Sequence, residues 1–75
     1  MKLDRITFNV HVMGGKPCIR GMRVTVGTIV GLLGAGHSFE QILLAYPYLE
    51  KDDLLQALSY AAWRAEEMEL PMFIS

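Results

Sequence analysis

Five basic side chains, Lys2, Arg5, Lys16, Arg20 and Arg23, crowd the first 23 residues, where Asp4 is the single acid. Three of them fall in one ten-residue run, Gly14-Gly15-Lys16-Pro17-Cys18-Ile19-Arg20-Gly21-Met22-Arg23. That run suggests a contact surface for anions. An arginine offers a planar fork that donates two parallel hydrogen bonds to a phosphate or to a guanine edge, and glycines allow a close backbone approach. Arg5, Lys16, Arg20 and Arg23 are therefore the candidate contacts to nucleic acid or to an acidic protein surface. A second reading stands beside the first: a folded hairpin whose glycines satisfy turn geometry and whose arginines pair with Glu50, Asp52 or Asp53. The run is not a nucleotide-binding loop, because the GxxxxGK[ST] pattern is absent.

Charge supports two unlike faces. Residues 24–75 hold only Lys51 and Arg64 against Glu40, Glu50, Asp52, Asp53, Glu66, Glu67 and Glu69, and the whole chain carries −1. The basic first third suits phosphate or carboxylate; the acidic remainder repels it. Other reactive groups are sparse. Cys18 is the only cysteine, so no disulfide forms within one chain. As a nucleophile it would need an adjacent base, and neither His11 nor His37 has a positional claim to be one, so it reads as a small core residue. Cys18, His11 and His37 show no metal-ligand spacing. The expectation is a non-enzymatic binding protein with no cofactor, metal or small-molecule substrate. A lone cysteine and an N-terminus without an apolar leader read as cytoplasmic. The stretch from Val24 to Gly36 is too short for a membrane span.

The elements that must position these groups follow from periodicity and punctuation. Arg5 to Val12 alternates and is rich in β-branched and aromatic residues, so it reads as a strand with His11 within it. Met13-Gly14-Gly15-Lys16-Pro17 reads as a turn, Cys18 to Arg20 as a second short strand, and Gly21 as a bend. Three helices of about 10, 8 and 17 residues follow from their apolar spacing. The first carries Val26, Ile29, Val30 and Leu33, with Gly31 and Gly34 reserved for a close-approaching backbone and Gly36 as the stop. The second opens on Ser38 with Gln41 completing a capping box and ends at Pro47. The third begins near Glu50 to Asp52, with Asp52 and Asp53 at the positive end of its dipole. Its apolar stripe is Leu54, Leu55, Leu58, Ala61, Ala62 and Ala65.

The organisation is a β arm over 1–23, a three-helix unit over 24–69 and an apolar tail over 70–75, all one domain. A chain of 75 residues buries only roughly 60% of its unfolded surface, yet 52% of this one is hydrophobic and 20% charged. That balance predicts an apolar patch covered by another chain. Tyr60 and Trp63 are the candidate dimer interface, with base stacking as the other use. Leu70, Met72, Phe73 and Ile74 are candidate anchors for a partner, or a flap that closes the chain's own core or a dimer seam.

The run GGKPCIRGMR, then Val24 and Val26, Gly36-His37-Ser38, Tyr46-Pro47-Tyr48-Leu49 and Ala57-Leu58-Ser59-Tyr60-Ala61 resemble, in order and spacing, a widespread small bacterial family. It is the domain of unknown function catalogued as number four hundred and thirty-three, and the likeness covers roughly residues 4–62. Met22 departs from its pattern, where a small hydroxyl residue is usual, and so does Glu50, where a Thr or Ser cap is usual. The resemblance implies a mainly α, homeodomain-like (helix-turn-helix-like) three-helix bundle with an N-terminal β hairpin. It also implies a VapB-like antitoxin role beside a PIN-like ribonuclease toxin. The expected function is thus an antitoxin-like homodimer that neutralises such a toxin and autoregulates its operon by binding DNA. The alternatives are a free-standing DNA-binding regulator and a purely structural dimerisation domain. As a major-groove reader the third helix is poor, since it opens Glu50-Lys51-Asp52-Asp53; the basic arm is the better DNA contact.

Overall fold

The computed structural model describes residues 3–67. Two short strands, β1 (Ile6–Thr7) and β2 (Cys18–Ile19), pair antiparallel with Ile6 opposite Ile19 and Thr7 opposite Cys18. Three helices follow: α1 (Val26–Gly34), α2 (Phe39–Ala45) and α3 (Lys51–Glu67). The fold is mainly helical, a small bundle with an N-terminal antiparallel hairpin.

The first strand is shorter than its alternation predicts, and Asn9 is the reason. Its side-chain oxygen accepts from the His11 N–H at 2.8 Å, and its carbonyl accepts from the Val12 N–H at 2.8 Å. An asparagine that bonds its own backbone two residues on makes a turn that ends a strand. His11 consequently lies exposed in a turn rather than in a strand. The return passes through a single 3-10 turn at Met13–Gly15.

After β2 the chain reverses again. Arg20 and Gly21 both have positive φ, 47° and 73°, and the Met22 N–H donates to the Ile19 carbonyl at 2.8 Å. Two central residues at positive φ are the mark of a tight hairpin turn. Glycine adopts this conformation freely, whereas an arginine there is strained.

The helix boundaries are chemically closed. The Thr25 hydroxyl accepts from the Thr28 N–H and caps α1. At the other end the His37 N–H reaches the Leu32 carbonyl and the Gly36 N–H reaches the Leu33 carbonyl, with Gly36 at φ 96°. This paired closure is a Schellman motif. The predicted capping box of α2 forms: the Ser38 hydroxyl accepts from the Gln41 N–H, and the Gln41 side chain accepts from the Ser38 N–H. At the start of α3 the carboxylate of Asp53, the third helical residue, reaches back to accept from the Glu50 N–H at 2.8 Å.

The core gathers Ile6, Ile19, Val24, Val26, Ile29, Ile42, Leu49, Leu54 and Ala57 from every element. A fully buried Ile or Leu stabilises by about 1.5–3 kcal/mol, so Ile19, Ile29, Ile42 and Leu54 dominate. Two expectations are corrected here. Gly31 and Gly34 meet no other backbone: a Cβ added at either finds no atom of the described residues within 4 Å. The apolar stripe of α3 is also split. Leu54 is buried with Ala57, and Ala61 is half-buried, whereas Leu55, Leu58, Ala62 and Ala65 are exposed. The reason is that Leu55, Leu58, Ala62 and Ala65 lie on a different face of the helix from Leu54 and Ala57, and only that second face meets the core.

Candidate functional site

Charge pairing organises the polar side of the fold around Asp53. This residue is completely buried at the first turn of α3, yet every acceptor position is used. Oδ1 accepts from Arg5 Nη1 at 2.9 Å and from Arg20 Nε at 3.0 Å. Oδ2 accepts from Arg20 Nη2 at 2.9 Å and from the Glu50 N–H. Arg20 therefore binds the carboxylate with both teeth of its fork, and Nη2 also donates to the Tyr48 carbonyl at 2.9 Å. Its positive φ aims the side chain from the turn toward α3, and the bidentate pair holds that strained backbone in place.

Arg5 makes a second clasp. Its Nη1 donates to Glu50 Oε1 at 2.7 Å, and its Nη2 lies 3.7 Å from Asp52 Oδ2. Its backbone N–H donates to Gln56 Oε1, and the Gln56 amide donates to Asp4 Oδ1 at 2.7 Å. The arm, the turn after β2 and the segment joining α2 to α3 are thus tied to one helical turn. Burial alone pushes the Asp53 carboxyl up, but hydrogen bonds from Arg20, the Glu50 N–H and Arg5 outweigh it and hold the group below the usual carboxylate range. The hydrogen bond to Glu50, and then that to Asp53, raises Arg5, and the bond to Asp53 raises Arg20. Among the described residues no buried side-chain polar atom lacks a partner.

The four candidate cations accordingly divide. Arg5 and Arg20 are brought together on Asp53, which is the pairing alternative of the sequence reading. Lys16 and Arg23 take no ion pair among the described residues. Lys16 borders an open hollow of about 470 Å³ with Pro17, Thr25, Gly27 and Thr28, at the start of α1. Cys18 is buried and free, as a core residue. Among the described residues no group of three or more His, Cys, Asp or Glu side chains is placed to hold a metal ion, and no helix is long and apolar enough to cross a membrane.

The aromatic candidates meet a third ring. The Tyr60 centroid lies 5.9 Å from that of Trp63 and 5.9 Å from that of Phe8, which follows β1. The Arg64 guanidinium carbon stands 5.9 Å from the Trp63 ring centroid. Phe8 and Gln56 were not singled out by the sequence reading. The alternation that places Phe8 two residues from Ile6 was the available signal, as was the three-residue spacing that puts Gln56 one turn beyond Asp53. Leu70, Met72, Phe73 and Ile74 lie outside the described residues.

Comparison with known proteins yields one family and two relatives. A family model described as "Protein of unknown function (DUF433)" matches residues 6–61. The chain is 38% identical over 56 residues to the "Uncharacterized protein y4eO" of Sinorhizobium fredii (strain NBRC 101917 / NGR234), a match covering 75% of this chain and 25% of that protein. It also resembles the crystal structure of a DUF433 member protein from Anabaena variabilis ATCC 29413, with a TM-score of 0.78 and 31% sequence identity, over 87% of this chain and 64% of that one. The chain therefore spans a quarter of the length of the first relative and about two thirds that of the second.

Proposed function

Since the chain belongs to the DUF433 family, we propose that it is an antitoxin-like binding module that neutralises a PIN-like ribonuclease in the cytoplasm by occluding the enzyme's acidic, metal-binding site. The observation that carries this reading is that the buried charges are paired within the fold whereas several large apolar side chains are exposed. The Asp53 cluster satisfies its own charges internally, whereas Leu44 is 82% exposed, Val10 76% and Phe8 60%. A domain of this size that leaves large apolar groups bare has surface for a partner to cover.

The division of the cations sharpens the contact. Arg20 is committed to Asp53, so it is not the group that meets the enzyme's carboxylates. Lys16 and Arg23, which take no ion pair among the described residues, are the groups left to do so, and a charge-assisted pair to a carboxylate is the strongest hydrogen bond such side chains form. Residues 70–74 supply further apolar anchors in this reading, and the module acts as a homodimer. Autoregulation by DNA binding would fall to the same two cations rather than to α3, whose first turn carries Asp52 and Asp53. Each protomer then neutralises few phosphates, so operator affinity should fall only gently with salt.

The test is co-expression of the untagged chain with the tagged product of the adjacent gene. A stable complex without ribonuclease activity is the expected result. Joint Lys16→Glu and Arg23→Glu reversal should weaken inhibition by at least about tenfold, a loss on the scale of one charged interface contact. Absence of a complex, or full inhibition by the double variant, removes this reading.

A further inference from the structure

The exposed part of the α3 stripe has a regular geometry. Leu55, Leu58, Ala62 and Ala65 are separated by three, four and three residues, and all four are exposed. This is the a/d spacing of a helix that packs against another helix. The neighbouring line through Leu54, Ala57 and Ala61 faces the body, and the line through Asp53, Gln56 and Tyr60 faces the arm. The third line has no partner among the described residues.

We infer that this seam pairs with the same seam of a second copy, antiparallel about a two-fold axis near the level of residue 60. The inference refines the homodimer part of the functional reading, and it does not depend on which protein the module captures. Size is the first argument. In antiparallel register Leu55 faces Ala65 of the second copy and Leu58 faces its Ala62, so each of the four layers sets one leucine against one alanine. A parallel pair would stack leucine on leucine at one end and alanine on alanine at the other.

The second argument is the division of α3. Asp53, Leu54 and Ala57 are buried in its first half, whereas no described side chain from Leu58 onward is buried. Antiparallel pairing lays the body of each copy beside the projecting half of the other helix. Parallel pairing would crowd both bodies at one end.

Charge is the third. The ten residues from Leu54 to Trp63 include no charged side chain, so the middle of the seam is neutral and fits a neutral surface like itself. At its ends Asp52 of one copy comes beside Glu66 of the other. That like-charge contact opposes association and is screened by salt.

Area sets the strength. The seam from Leu55 to Ala65 is about 15 Å long at the helical rise and presents only two leucines and two alanines per copy, a small contact beside the roughly 1,200 Å² that stable interfaces bury in total. The dimer is therefore reversible and concentration-dependent.

Sedimentation equilibrium of the full chain tests this. A monomer–dimer equilibrium is expected at concentrations up to about 1 mM, holding or tightening as salt is raised through roughly 50–500 mM. Leu58→Ala opens a void in two symmetric layers, and Ala62→Leu overfills the same two layers. Each should weaken association by about tenfold or more. The double variant again sets one leucine against one alanine, and it should recover most of the loss. Circular dichroism melts establish that all three variants remain folded, since both positions are exposed. A chain that stays monomeric, a double variant no better than either single one, or a dimer that dissociates on adding salt overturns the inference. Toxin capture, read separately by co-purification, can survive any of those results, so the two readings fail independently.

Discussion

The two halves of α3 both carry apolar residues at helical spacing and differ in how those residues are covered. From Lys51 to Ala57 one side of the helix is embedded: Asp53, Leu54 and Ala57 have no exposed surface, and the arm, the turn after β2 and the link from α2 all fasten to this segment. From Leu58 to Glu66 no described side chain is buried, although Leu58, Ala61, Ala62, Trp63 and Ala65 are as apolar as the residues before them. The comparison teaches that apolar periodicity marks which side of a helix can be covered, whereas the extent of the protein body determines how much of that side is covered. Stability belongs to the first half, and the second half is available for association.

The sharpest way to break this contrast is to make the same change in each half. Leu54→Ala empties a fully enclosed site, and about 3–4 kcal/mol of stability should be lost. Leu58→Ala, one turn on, should cost the monomer less than about 1 kcal/mol. Urea melts at a concentration where the chain is monomeric measure both, and equal losses would show that the projecting half is packed after all.

Asp53→Asn comes next. It keeps the shape but leaves two arginines facing a neutral amide, and about 2–3 kcal/mol should be lost because both arginines can turn partly to water. For a domain of this size that is roughly 10–20 °C in melting temperature. The pH dependence has a definite sign. The folded-state pKa of Asp53 lies below its ordinary value, so its stabilisation is present above about pH 4 and is lost as pH falls through the lower folded value. Thermal melts of the native chain should show this decline in strong acid, and the Asn variant should lack that component.

The smallest effect has the opposite sign. Gly31 lies inside α1 with open space around it, so Gly31→Ala should stabilise the isolated chain by up to about 1 kcal/mol. A decrease would mean that its surface is occupied.

Much of this was legible from residue order. The Ser38–Gln41 box, the Gly36 stop and the Pro47 break follow from local rules that involve three or four neighbouring residues, and each stands where its residues place it. The Arg–Asp pairing was legible only as a choice, because three acids were available and sequence separation carries no distance. The length of β1 was misread because Asn9 interrupts an alternation that is otherwise regular. No backbone of the described residues approaches Gly31 or Gly34, which residue order left open because a glycine announces close approach and a bare surface in the same way.

What the sequence by itself determined is the set of elements, the ends of the helices, and the separation of a basic first third from an acidic remainder, since caps, turns and periodicity act over a few residues. Only the tertiary structure decided that Asp53, rather than Glu50 or Asp52, becomes the buried centre of that charge, and that α3 outruns the body it packs on. Both outcomes depend on where segments some 30 to 50 residues apart come to rest. That position is set by the mutual packing of Ile6, Ile19, Ile29, Ile42 and Leu54, which no local stretch of the chain contains.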